Sequence, residues 1–116
     1  MSRQQRGAAS ETAAVRFLEQ QGLTLVTKNF TLDNAEIDII MRADERLIFV
    51  EVKYRQDETF AAVLEQISPG QCQRIRHAAR VFMLQNEWDE HHTAVRFDVV
   101  ALVGQPATIH WLQDAF

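Results

Sequence analysis

The sequence predicts an α/β fold with one mixed sheet of five strands flanked by helices. Three observations carry this reading. Apolar residues recur at helical spacing near the start of the chain and again after Ser68-Pro69, with strand-like runs between and after them. Three of those runs follow one another across short turns, as an antiparallel meander does. One of the three, centred on Leu47-Ile48-Phe49-Val50, is apolar on both faces, which suits the middle of a sheet. The resulting order, αβββααββ, fits one sheet with helices against it.

The first helix is read from about Ala8 to Gln21, where Ala14, Phe17, Leu18 and Gln21 follow helical spacing and Gly22 is a natural stop. Leu23 to Leu32 reads as a strand and Asp33-Asn34 as a hairpin turn. Glu36 to Arg42 is a second strand, Asp44-Glu45 another turn, and Arg46 to Tyr54 the third strand. Phe60 to Ile67 is a short helix. Ser68-Pro69 then opens a longer one, with a capping hydroxyl before a residue whose φ is already helical. Ile75, Ala78, Ala79 and Phe82 form its apolar stripe, beside a polar stripe of Gln73, Arg76, His77 and Arg80. Asn86 to Thr93 is a polar loop, Ala94 to Val103 a strand, Gly104-Gln105-Pro106 a turn, and Thr108 to Leu112 the last strand.

A chain of 116 residues is expected to form a single domain over residues 1–116. A hydrophobic content of 47% is too high for disorder. Cys72, the single cysteine, cannot close an internal disulfide, so nothing suggests an oxidising compartment. The opening MSRQQRGAASE lacks the apolar core of a signal peptide, and no apolar run approaches the roughly 20 residues of a membrane span. The expectation by elimination is a cytoplasmic protein with no membrane partner. A net charge of −4 weighs against tight, indiscriminate nucleic-acid binding. Yet ten of the twelve basic residues are arginines, the better bidentate phosphate ligand. Several are grouped: Arg3, Arg6 and Arg16, then Arg55 beside Lys53, then Arg74, Arg76 and Arg80.

The sharpest local signal is Val50-Glu51-Val52-Lys53. Residues two apart on a strand share a face, so Glu51 and Lys53 point the same way. The simplest role for them is a structural ion pair at a strand end. Asp38 changes the balance. It lies in Glu36-Ile37-Asp38-Ile39-Ile40, where Glu36, Asp38 and Ile40 are expected on one face. If the two strands pair through the Asp44-Glu45 turn, Asp38 and Glu51 meet near one end of the sheet. Two carboxylates hold a hard divalent cation through oxygen, and an ammonium beside them can orient water or meet charge developing on a phosphate. Unpaired acids seldom cluster in a core, which favours a functional site over a strand-end coincidence. Glu11 precedes Ala14, Val15 and Leu18 by helical spacings. It either extends the acidic set or is a first-turn acid favoured by the helix dipole. His91-His92 diverge in a polar loop, and Arg96 with Asp98 reads as a structural pair.

Ser10-Glu11, AEIDII at 35–40, FVEVKYR at 49–55, ISPGQCQRI at 67–75, RFDVVAL at 96–102 and WLQDAF at 111–116, in this order, resemble the YraN-type family. That family comprises small, functionally uncharacterised bacterial proteins placed in the PD-(D/E)xK nuclease superfamily, close to archaeal Holliday-junction resolvases. The resemblance covers nearly the whole chain. It implies a restriction-endonuclease-like core, with Asp38 and Glu51 as metal-binding acids, Lys53 as the catalytic lysine and Glu11 as the resolvase-like helical glutamate. It further implies Mg²⁺ or Mn²⁺ and a nucleic-acid phosphodiester substrate. Two positions depart from the family's pattern: Ala35 stands where glycine is usual, and Gln71 where a lysine is usual.

The expected function is a metal-dependent endonuclease acting on DNA, branched or junction DNA included, with Arg55, Gln71, Arg74, Arg76 and Arg80 meeting the nucleic acid. The alternative is a non-catalytic nucleic-acid or protein-interaction module that keeps the nuclease fold. Resolving a four-way junction needs two coordinated cuts, which a homodimer would supply. Trp111, Leu112 and Phe116 offer material for such an interface, or else pack over the sheet's own edge.

Overall fold

The structure is a computed structural model. It describes residues 3–57 and 59–116, with side chains from Gly7 onward in the first helix. The side chains of Arg3 and Arg6, grouped above with Arg16, lie outside the described residues. The elements are α1 (Arg3–Gln20), β1 (Thr24–Leu32), β2 (Ala35–Ala43), β3 (Arg46–Arg55), α2 (Phe60–Glu65), α3 (Pro69–Gln85), β4 (Ala94–Val103) and β5 (Thr108–Leu112). The expected order is therefore the observed one, and most bounds agree within two residues.

The exception is α1, which starts five residues before Ala8. Glu11 is thus in the middle of the helix, not in its first turn, and a helix-dipole role for it falls away. The helix closes as expected, with Gly22 at φ 94 and the N–H groups of Gly22 and Leu23 bonded back to Glu19 and Leu18. Ser68 caps α3, its hydroxyl accepting the Gln71 N–H at 3.1 Å.

The five strands form one sheet in the order β1-β2-β3-β4-β5. β3 pairs with β4 in parallel and every other neighbouring pair is antiparallel. The parallel pair needs a crossover, and α2 with α3 provides it. The sheet is covered on both faces. Ala14, Val15 and Leu18 of α1 pack with Ile39, Met41, Ile48, Val50 and Val100 on one side. Ile75, Ala78, Ala79, Phe82 and Met83 of α3 pack with Ile37, Ile40, Leu47, Phe49 and Phe97 on the other. This is the α/β arrangement of a restriction-endonuclease-like core, and β3 is its middle strand because each of its faces meets a helix.

β2 departs from simple alternation. Ala35 and Ile37 belong to the α3-side core, whereas Ile39 and Met41 belong to the α1-side core. A regular strand would keep all four on one face. The switch falls at Asp38, so the expectation that Glu36, Asp38 and Ile40 share a face is corrected: Ile40 instead sits with Ile37. β1 steps with it. The opposed pairs Lys28–Ile39 and Phe30–Ile37 lie on opposite faces, and Asn29 between them takes a left-handed φ of 56. The irregularity in two adjacent strands is what turns Asp38 away from both cores.

Candidate active site

The rungs between β2 and β3 stop at Ile39 opposite Val50. One residue further, Asp38 lies beside Glu51, and its Oδ2 accepts the Val52 backbone N–H at 2.8 Å. The Asp38 and Glu51 carboxyls interact directly, each shifting the other's proton affinity. Glu51 is only 7% exposed. Lys53, two residues on, places Nζ 3.5 Å from Glu51 Oε1. The three residues that sequence reasoning placed together are therefore together.

Glu11 joins them from α1. Carboxylate oxygens of Glu11, Glu36 and Asp38 lie within 4.8 Å of one another. Among the described residues this is the one group of three acid, histidine or cysteine side chains close enough to share an ion. All of its donors are carboxylate oxygens, the set preferred by hard divalent cations over zinc or copper. Glu51 is outside that trio, its carboxylate turned to Asp38 and Lys53. Asn29, oriented with its amide nitrogen toward the acids, donates to Glu36 Oε1 at 2.9 Å and to the Glu11 oxygens at 3.1 and 3.2 Å.

The electrostatics reflect two largely buried acids, Asp38 and Glu51, with the half-buried Glu11 and the exposed Glu36 beside them. Burial pushes Asp38 up to about 7, and the neighbouring Glu51 charge adds to it. Burial also raises Glu51, against the pull of Lys53. Glu11 is raised by burial and then by Asp38, with the Asn29 amide opposing.

Glu36 and Asn29 were missed as site residues. Glu36 carried a usable signal, since it stands two residues before Asp38 on the same strand. Asn29 carried almost none, because an asparagine in a strand-like run announces a left-handed kink only weakly. Ala35 lies in the α3-side core at 8% exposure and is not among the positive-φ residues. The left-handed turn residues are Asp33 and Asp44, so the departure from glycine at 35 introduces no backbone strain.

The expected nucleic-acid contacts divide into three places. Gln71 and Arg74 line a 170 Å³ pocket with Glu36, Asp38 and Glu51, directly over the acids. Arg55 lines a 380 Å³ cleft with Lys53, Glu11 and Ser10 on the α1 side. There its Nε donates to Gln66 Oε1 at 3.0 Å and its Nη1 to the Tyr54 carbonyl at 2.7 Å. Arg76 and Arg80 do not reach the acids. Arg76 lies 4.7 Å over the Phe97 ring, and Arg80 meets Glu90 at 3.4 Å on the surface.

Two expected structural roles hold. Arg96 grips the fully buried Asp98 through two 2.9 Å bonds, and Trp111 Nε1 and the Asp114 N–H complete its partners. Trp111 also meets Phe17 edge-on, and Phe116 packs on Phe97. These rings pack within the chain.

The sequence model of the family described as "Uncharacterised protein family UPF0102" matches residues 10–102. The chain belongs to the UPF0102 family. A UPF0102 protein of Idiomarina loihiensis is 51% identical over 110 residues, covering 95% of each chain. One from Shewanella baltica is 44% identical over 95% of this chain and 97% of its own. Another, from Xanthomonas euvesicatoria pv. vesicatoria, is 40% identical over 99% of this chain and 93% of its own. This is the YraN-type family that the linked motifs resemble. The UPF0102 match spans Glu11, Asn29, Glu36, Asp38, Glu51, Lys53 and Arg74, and it ends before β5.

Proposed function

We propose that this UPF0102 protein is a metal-dependent endonuclease that hydrolyses phosphodiester bonds in DNA. The observation that carries the reading is the convergence of Glu11, Glu36 and Asp38 within 4.8 Å, beside a Glu51–Lys53 pair, with Glu36, Asp38 and Glu51 lining one pocket and Glu11 and Lys53 a neighbouring cleft. Burying Asp38 against Glu51 is unfavourable unless a cation or proton neutralises them, and packing alone gives no reason to bring Glu11 and the exposed Glu36 to the same place. The all-oxygen donor set fits Mg²⁺ or Mn²⁺, with Asp38, Glu11 and Glu36 as the residues to hold it and Glu51 completing the set from beside Asp38. Such a cation, when bound, polarises a phosphate and makes water a better nucleophile at neutral pH.

The protein's own groups do the rest. The Val52 N–H fixes the Asp38 carboxylate, and Asn29 fixes those of Glu11 and Glu36. The Lys53 ammonium, largely shielded, is held by Glu51 where it can orient a water or meet charge developing on the phosphate. Arg74 and Gln71 frame the pocket that the phosphate would enter.

A second reading, a nucleic-acid or protein-interaction module without catalysis, draws on the net charge of −4 and on Gln71, which adds no charge to the pocket. The test is a cleavage panel of linear, flapped and four-way DNA with Mg²⁺, with Mn²⁺ and with chelator. Metal-dependent cleavage of any member supports the enzyme, and tight metal-independent binding without cleavage supports the module. Cutting both strands of a four-way junction would further call for a second copy of the chain, which sedimentation equilibrium with the junction tests.

A further inference from the structure

Three cavities on the α3 side are one groove. The acid pocket shares Asn34, Ala35 and Arg74 with a 340 Å³ cavity, and that cavity shares Gln73 and His77 with a third of 570 Å³. The groove therefore leaves the acids, passes between α3 and the β1–β2 turn, and ends at Phe116. From Gln71 to Arg80 it follows about 14 Å of helix axis.

Its lining changes along this path. At the acids stands Arg74, which forms no ion pair among the described residues. At the far end Arg80 is exposed, and its link to Glu90 is a surface contact that solvent weakens. Beside it lies the half-buried ring of Phe116, which packs on Phe97 and lines the largest of the three cavities. Glu90 and Asp114 also line this end, so the groove is mixed in charge, and it is arginines set beside an aromatic face that suit an unpaired strand. Its phosphates take the cations, and its bases offer free π-faces that a duplex keeps stacked on one another.

We propose that the substrate runs from the acids along α3 as a single strand, with Arg74 and Arg80 on its phosphates and a base stacked on Phe116. This rests on the acids being the cleavage site. It narrows the substrate to nucleic acid with an unpaired segment on one side of the scissile bond.

The test is fluorescence anisotropy with a short labelled oligothymidylate and a blunt duplex of equal length, in chelator so that nothing is cut. The single strand is expected to bind more tightly than the duplex. Phe116→Ala should weaken single-strand binding by about tenfold. Arg74→Ala and Arg80→Ala should each lower the salt slope by about 0.7. Because Phe116 contacts the core, thermal melts accompany it, and exposed Arg80 keeps the test valid if that variant is unstable. Equal binding of the duplex, or unchanged slopes in both arginine variants, overturns the groove. Loss of the groove alongside metal-dependent cleavage leaves the nuclease standing. Groove binding without any cleavage removes the nuclease and keeps the strand path.

Discussion

Asp38 accepts the Val52 N–H at the point where β2 stops pairing with β3, so its carboxylate replaces a backbone carbonyl in the ladder. The consequence is positional. One oxygen is tied to the central strand, and the carboxylate lies near enough to Glu11 and Glu36 to share an ion with them. A change at 38 that keeps the acceptor, such as Asp38→Asn, should therefore spare the fold and remove the charge.

Asn29 supports the same site through two separable properties, its left-handed backbone and its amide. Asn29→Ala should lose about 1 kcal/mol of stability from the backbone alone. Asn29→Gly should keep the stability but weaken Mn²⁺ binding about tenfold, because the amide no longer aligns the acids. Calorimetric titration alongside thermal melts checks both, and equal Mn²⁺ affinity in wild type and Asn29→Gly would remove the amide from the site.

The raised Asp38 value makes apo-protein stability depend on pH. Its folded value of about 7 exceeds the ordinary 3.8, so the folded state binds more protons than the unfolded chain between those limits. That contribution is fully present below about 3.8 and is lost as pH rises through about 7. Glu51 and Glu11 are shifted in the same direction. In chelator, wild-type stability relative to Asp38→Asn should therefore fall across this window, as read from urea denaturation at several pH values. Saturating Mn²⁺ should shrink the fall, since cation binding favours the ionised acids. A difference between the two proteins that stays constant with pH contradicts the assignment.

Lys53→Ala should abolish cleavage while changing the melting temperature by only a few degrees. Glu51, losing its partner, takes up a proton instead of remaining a bare buried charge. Cleavage that survives together with a large drop in melting temperature would make Lys53 a purely structural partner.

Gln71 lines the acid pocket one turn before Arg74. Gln71→Lys should tighten DNA binding and steepen its salt dependence by about one ion. An unchanged slope would put position 71 off the path of the nucleic acid.

Nearly all of the fold was legible because its signals are local: Leu47-Ile48-Phe49-Val50 marked the buried central strand, and Ser68-Pro69 marked the start of α3. The start of α1 was not legible, since RQQRG has no apolar stripe to extend the helix backward. Asp38, Glu51 and Lys53 could be brought together by strand period and hairpin pairing alone. Glu36 could have been added by the same period, standing two residues before Asp38, but Asn29 could not, because the face switch at Asp38 and the kink at Asn29 arise between two strands and leave no period in either. Arg76 was expected among phosphate contacts from its position on the polar stripe. Its stacking on Phe97 depends on a strand that helical spacing does not see.

The most direct test of the account is Mn²⁺-dependent cleavage of the DNA panel by wild type and Asp38→Asn under identical conditions, with both proteins shown to be folded. The account predicts cleavage by wild type that chelator stops, and none by Asp38→Asn despite equal or greater thermal stability at pH 8. Equal cleavage by the two proteins, or none by wild type on any substrate with either metal, would contradict it.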